Sequence, residues 1–288
     1  MTDTALAAPR LPVFRRPIFI MAAPRSGSTA LFETLAVTPQ VATVGGEAHW
    51  LVEGLPPLRP GAPGVESNRL TRKQATPEIQ GLIRKGLAEK LVLPGGLPPK
   101  PGAEVRLLEK TPKNALRIPF FNAVFSDALF IYLWRRPEEN ISSIMDAWRA
   151  GRWVTYRTLQ GWDGPWSLLL PPGWKTLRGR PLAEIAAFQW AATNTVIMDD
   201  LAKIDGRRKL TVEYDAFVED PAMVVQKICD FAGLAYDSAL FNRTTGPLPN
   251  SRYTLSAPDR DKWLKNKDEI DGVLPAMRSV LERAQDYA

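Results

Sequence analysis

Ile18-Phe19-Ile20-Met21-Ala22-Ala23-Pro24-Arg25-Ser26-Gly27-Ser28-Thr29-Ala30-Leu31-Phe32 changes character midway. Ile18 to Ala23 is a short apolar run, as expected of a parallel strand covered on both faces. Pro24 to Ser28 interrupts it with small polar residues, and Thr29 onward places Ala30, Leu31 and Leu35 at helical spacing. A strand feeding a helix through such a loop aims backbone N–H groups, hydroxyls and the positive end of a helix dipole at one point. That is an anion site, most often a phosphate site. It is not the nucleotide-triphosphate loop G-x-x-x-x-G-K-[ST]. Gly27 is followed by Ser28, Ala22 stands where the first glycine belongs, and the loop's cation is Arg25.

Further along, short apolar runs alternate with helical patterns: Val41–Val44, Val105–Leu108, Leu129–Trp134 and Leu210–Val212 as strands, and 76–91, 137–149 and 183–204 as helices. This order implies an α/β fold, a three-layer, P-loop-like arrangement with a central parallel sheet and right-handed crossovers. The second strand is expected beside the first. Residues 1–16 form a polar lead, and Asp220-Pro221 starts the helix carrying Cys229. The chain is expected to be one domain over 1–288, with residues 150–181, rich in Trp, Gly and Pro, as an α-helical cap over an acceptor site or an irregular cap that packs its own aromatics. Trp153 and Trp162 of the cap, and Trp50, are candidate substrate contacts.

Composition narrows the function. At 288 residues a sizeable core is available. The net charge of +6 suits a small polyanionic ligand or an acidic partner. Nucleic acid is disfavoured, because no Lys/Arg run interleaves with aromatics. One cysteine permits no intrachain disulfide. No secretory leader and no stretch long enough to span a bilayer is read, which gives a cytoplasmic expectation. No cluster has metal-ligand spacing, so no metal is expected.

A second anion site is Arg135-Arg136, at the end of a strand that enters a helix at Pro137, with Ser142 and Ser143 on that helix. Two such sites suit a nucleotide with phosphates at both the 5′ and 3′ positions, and arginine forks match phosphate oxygens. Lys113 and Arg117 follow Lys110 on one helical stretch and are read as solvated.

The pattern Pro24-Arg25-Ser26-Gly27-Ser28-Thr29, then Tyr132-Leu133-Trp134-Arg135-Arg136-Pro137 with Ser143, resembles the sulfotransferases that use 3′-phosphoadenosine 5′-phosphosulfate, in their bacterial and heparan-type branches. Glu47-Ala48-His49, Glu109-Lys110-Thr111-Pro112 and Glu213-Tyr214-Asp215 through Asp220-Pro221 agree in order. The resemblance implies sulfuryl transfer to a hydroxyl of a small-molecule, carbohydrate or carrier-bound acyl acceptor. It implies that Arg25, Ser26, Gly27, Ser28 and Thr29 hold the 5′-phosphate, Arg135 and Ser143 the 3′-phosphate, Tyr214 the adenine side, and Arg252 the late loop over the 3′-phosphate. Arg25 and Lys110 would stabilise charge on the transferring group. Glu47 is the base by family likeness, and His49, the chain's one histidine, is the alternative. The rival readings are an ATP-dependent small-molecule kinase with a variant loop and a non-catalytic nucleotide-binding protein.

Overall fold

The computed structural model describes residues 10–254 and 259–287, so most of the expected polar lead lies outside the described residues. The strands are short: β1 (Val13–Phe14), β2 (Ile18–Met21), β3 (Glu104–Val105), β4 (Leu108–Glu109), β5 (Leu129–Trp134), β6 (Val154–Tyr156), β7 (Trp166–Ser167) and β8 (Lys209–Glu213). The main sheet has the order β4-β2-β5-β8, and every pairing in it is parallel. Every residue of β2 and β5 is buried, as their unbroken apolar runs require.

Alternation along these strands divides the core. Phe19, Met21, Phe130, Tyr132 and Trp134 face one way, and Ile18, Ile20, Leu129, Ile131 and Leu133 the other. The helices are α1 (Ser28–Leu35), α2 (His49–Gly54), α3 (Pro77–Ala88), α4 (Ile118–Val124), α5 (Pro137–Ala150), α6 (Leu182–Leu201), α7 (Tyr214–Glu219), α8 (Pro221–Ala232), α9 (Ser238–Thr244), α10 (Lys267–Asp271) and α11 (Leu274–Asp286). Residues of α3, α4, α6 and α11 cover the first face, and α1, α8 and α9 the second. The caps are those the sequence offers: Thr76 accepts from the Ile79 amide ahead of Pro77, and Asp220 from Met223 ahead of Pro221. No described helix is long and apolar enough to cross a membrane.

Some expectations are corrected. Val41–Val44 does not form a strand beside β2. Ala42 makes one parallel bridge to Leu107 and Thr43 one antiparallel bridge to Val92. Its backbone neighbours are Arg106 and Leu108, so β4 lies between this stretch and β2. The run Val105–Leu108 is likewise split, because Val105 pairs with β1 while Leu108 pairs with β2. Residues 150–181 are not α-helical beyond the end of α5. They form the antiparallel β6–β7 hairpin and a 3-10 turn at Trp174–Leu177. Positive-φ glycines at 151, 161, 164 and 173, with Pro165, Pro171 and Pro172, deny this segment a helical run. Its apolar residues instead pack edge to face, with Trp162, Trp166 and Trp174 at centroid distances of 4.8–6.3 Å.

Candidate active site

A cavity of about 740 Å³ opens beyond the carboxyl ends of β2, β5 and β8, where parallel sheets place their ligands. Its floor is the loop from β2 to α1. Gly27 closes that loop with φ +87°, and a Cβ built there would overlap the Tyr214 ring. The turn therefore requires glycine both for its backbone and for the space. Among the described residues the α1 N-terminus has no side-chain cap, and its first residues, Ser28 and Thr29, line the cavity. Ser26 does not face it. Its buried hydroxyl lies 2.7 Å from Asn140 Oδ1 and 2.9 Å from the Ala23 carbonyl, and Asn140 Nδ2 donates to the Pro24 carbonyl. Ser26 thus ties the loop to α5.

Arg25 is a left-handed residue, φ +67°. Its guanidinium lies over the Trp153 ring, 4.6 Å from the centroid, and donates to the Tyr253 carbonyl at 3.1 Å. Its Nε is buried without a hydrogen-bond partner among the described residues. Burial first, and then the charge of Arg135, lower the Arg25 pKa. A bound anion would relieve both. Arg135 stacks on Tyr214 at 4.3 Å and forms a two-pronged pair with Glu139 at 2.9 and 2.5 Å. Ser142 and Ser143 both line the cavity, but the Ser142 hydroxyl already accepts from Asn266 at 2.9 Å.

Across the cavity, Glu47 precedes α2 and His49 begins it. The almost wholly buried Lys110 donates to Glu47 Oε1 at 2.6 Å and to Thr29 Oγ1 at 3.0 Å, joining this turn to the start of α1. His49 Nδ1 lies 3.8 Å from Glu47 Oε2. The imidazole pKa is lowered, chiefly by burial and then by Lys113, against the opposing pull of Glu47 and Glu53. His49 is therefore neutral near pH 7.

Lys113 and Arg117, expected to be solvated, are buried, because both bond Glu53, at 2.7 and 2.9 Å. Burial raises the Glu53 pKa, but Lys113 and Arg117 outweigh it and hold the carboxyl below its ordinary range. Tyr156 of β6 and Asn68 complete the cluster, and Asn68 in turn bonds Leu170, so it anchors the 150–181 segment.

Of the residues singled out by sequence, Arg25, Gly27, Ser28, Thr29, Glu47, His49, Arg135, Ser143, Trp153 and Tyr214 line this one cavity. Lys110 stands behind Glu47. Arg252 bonds Glu33 at 2.5 Å and the Gly45 carbonyl at 3.1 Å outside the lining. Trp162 packs among the tryptophans of its own segment and Trp50 is exposed; neither reaches the cavity. Sequence reasoning missed Glu53 and Glu139. The second had a signal, its i,i+4 spacing from Arg135.

A model of the sulfotransferase family matches residues 17–238. No curated protein matches. Among solved structures, sulfotransferase STF9 from Mycobacterium avium is 17% identical, covers 92% of this chain and 76% of its own, and has a TM-score of 0.51. The sulfotransferase domain of the Synechococcus PCC 7002 olefin synthase is 20% identical, with coverage of 90% and 94% and a TM-score of 0.49. Mouse sulfotransferase SULT7A1, solved in complex with PAP, is 14% identical, with coverage of 96% and 91% and a TM-score of 0.45. At these identities the likeness is one of fold.

Proposed function

Because the chain belongs to the sulfotransferase family, we propose that it moves a sulfuryl group from 3′-phosphoadenosine 5′-phosphosulfate to an acceptor hydroxyl, with His49 as the base. The observation that carries this reading is that one cavity holds an uncapped helix N-terminus with its loop, a second arginine at a strand end, and a neutral imidazole beside a carboxylate. Arg25 Nε, buried without a hydrogen-bond partner among the described residues, suits an anion in the loop.

In this reading the acceptor oxygen forms the new O–S bond as the bridging bond to the 5′-phosphate breaks. Its proton passes to His49. Charge gathers on the sulfuryl oxygens and the departing phosphate, where the α1 amides, Thr29 and Arg25 stabilise it. Glu47 is fixed by Lys110 on one oxygen and faces His49 with the other, so its role is to orient the imidazole. Arg135 and Ser143 take the 3′-phosphate, and Tyr214 lies beside the adenine. Arg252 ties down the late loop. Residues 150–181 wall the acceptor end through Trp153, Val154, Thr155 and Leu168. That wall is apolar with a polar end, which suits a small molecule or a carrier-bound chain with one reacting hydroxyl.

The test is transfer of labelled sulfate from this donor to a panel of phenols, sugars, sterols and hydroxyacyl groups. Labelled product with release of adenosine 3′,5′-bisphosphate supports the reading. Tighter binding of ATP–Mg²⁺ than of the bisphosphate, with no sulfate transferred, overturns it in favour of a kinase. Arg135→Ala is expected to weaken bisphosphate binding by about 1.5–3 kcal/mol, the range for a charge-assisted bond. Calorimetry showing no loss would remove Arg135 from the 3′-phosphate site.

A further inference from the structure

The stretch Glu109-Lys110-Thr111 grips the turn Glu47-Ala48-His49 at two places. Lys110 holds the Glu47 side chain. Thr111 holds the backbone between the two reactive residues, its Oγ1 accepting from the Ala48 amide at 2.8 Å. The Thr111 hydroxyl proton is directed to Glu109 Oε1, 2.5 Å away. Glu109 is a buried carboxyl that the transfer chemistry does not use. Its other oxygen accepts from Asn114 Nδ2 at 3.0 Å. The amide cannot turn over, because Arg117 donates to Asn114 Oδ1 at 3.1 Å and, through its other arm, to Glu53. Each bond fixes the direction of the next, from Arg117 through Asn114, Glu109 and Thr111 to the Ala48 amide.

We propose that Glu109 and Thr111 are positioning residues that act through the Ala48 amide to hold Glu47 and His49 at their reactive spacing. This rests on the reading of those two residues as the proton-handling pair. The chain of bonds is enclosed, so it keeps its geometry without help from water. An error of about 1 Å at a reacting group costs on the order of a hundredfold in rate, so a buried brace of this kind has a kinetic signature.

His49 is the chain's one histidine, so its ring C–H resonances titrate without overlap and without any need for activity. The groups that set that titration are Lys113 and Arg117 on one side and Glu47 and Glu53 on the other, with Lys110 paired to Glu47. Thr111→Val keeps the shape and removes the hydroxyl. It is expected to move the His49 midpoint up toward the ordinary imidazole value, as the ring leaves its half-buried place near Lys113. Turnover is expected to fall at least about tenfold with the donor KM held, and Thr111→Ser to restore both.

Bisphosphate binding by the variant reports that it is folded. If Thr111→Val does not fold, Glu109→Gln takes its place, since a glutamine amide can accept from only one of its two partners. A folded variant with the His49 midpoint unmoved and turnover within about twofold of the parent overturns the proposal. Failure of the parent chain to transfer sulfate counts against the functional reading instead, and the resonance titration still decides whether the brace holds His49.

Discussion

His49→Ala is expected to lower turnover by about 10²–10⁴-fold, the usual contribution of a positioned base, while bisphosphate affinity stays that of the parent. The separation arises because the proposed reading gives the acceptor proton to His49 and the donor phosphates to residues 25–29, which Lys110 links to Glu47 rather than to the imidazole. The parent enzyme carries the matching pH signature. Only neutral imidazole accepts a proton, and burial with Lys113 lowers its pKa below the ordinary imidazole value. Rate therefore rises with pH through a midpoint below that value and is level at neutrality. The neighbours shift the midpoint with predictable sign. Glu47→Gln removes a charge that raises the imidazole pKa, so the acid limb moves to lower pH. Lys113→Met removes one that lowers it, so the limb moves up. Retention of the parent rate and acid limb in His49→Ala would transfer the base role to Glu47.

Gly27→Ala is expected to abolish measurable bisphosphate binding. A left-handed residue with a Cβ costs roughly 1–2 kcal/mol, and here the methyl also meets the Tyr214 ring. The larger effect is the displacement that follows. Tyr214 carries Arg135 on its face, and Arg135 lies against the Arg25 carbonyl, so moving the ring moves both arginines proposed to hold the donor's phosphates. The double variant Gly27→Ala/Tyr214→Ala removes the overlap and keeps the backbone strain, so it is expected to recover part of the single variant's loss of thermal stability. A cycle with no coupling between the two positions would exclude the overlap as the cause.

What was legible in the sequence was what lies together in it. The strand, loop and helix around Arg25, the strand running into Arg135-Arg136-Pro137, and the Glu47/His49 pair each occupy one short stretch, and local pattern suffices for those. Lys113 and Arg117 were misread because their partner, Glu53, is 60 and 64 residues away. A basic residue at helical spacing looks solvated until the carboxylate that buries it is known. The helical reading of the 150–181 segment failed for a related reason. Its tryptophans suggested a packed element, but its glycines and prolines allow only a hairpin and a tight turn, and its anchor, Asn68, is 102 residues from Leu170. The place of Val41–Val44 in the sheet depended on a strand more than sixty residues later taking the position beside β2.

Arg25 belongs to two walls at once. Its backbone shapes the loop from β2 to α1, while its guanidinium lies on Trp153 of the 150–181 segment, proposed to wall the acceptor, and bonds the Tyr253 carbonyl. A donor anion that draws the guanidinium off the indole alters the surface the acceptor meets. Thermodynamic reciprocity then requires the acceptor to change donor affinity by the same factor. Calorimetry of the bisphosphate and an acceptor, added in either order, is expected to return one coupling energy, and Trp153→Leu to reduce it. Equal affinities with and without the other ligand would mean that the two halves of the cavity are read independently.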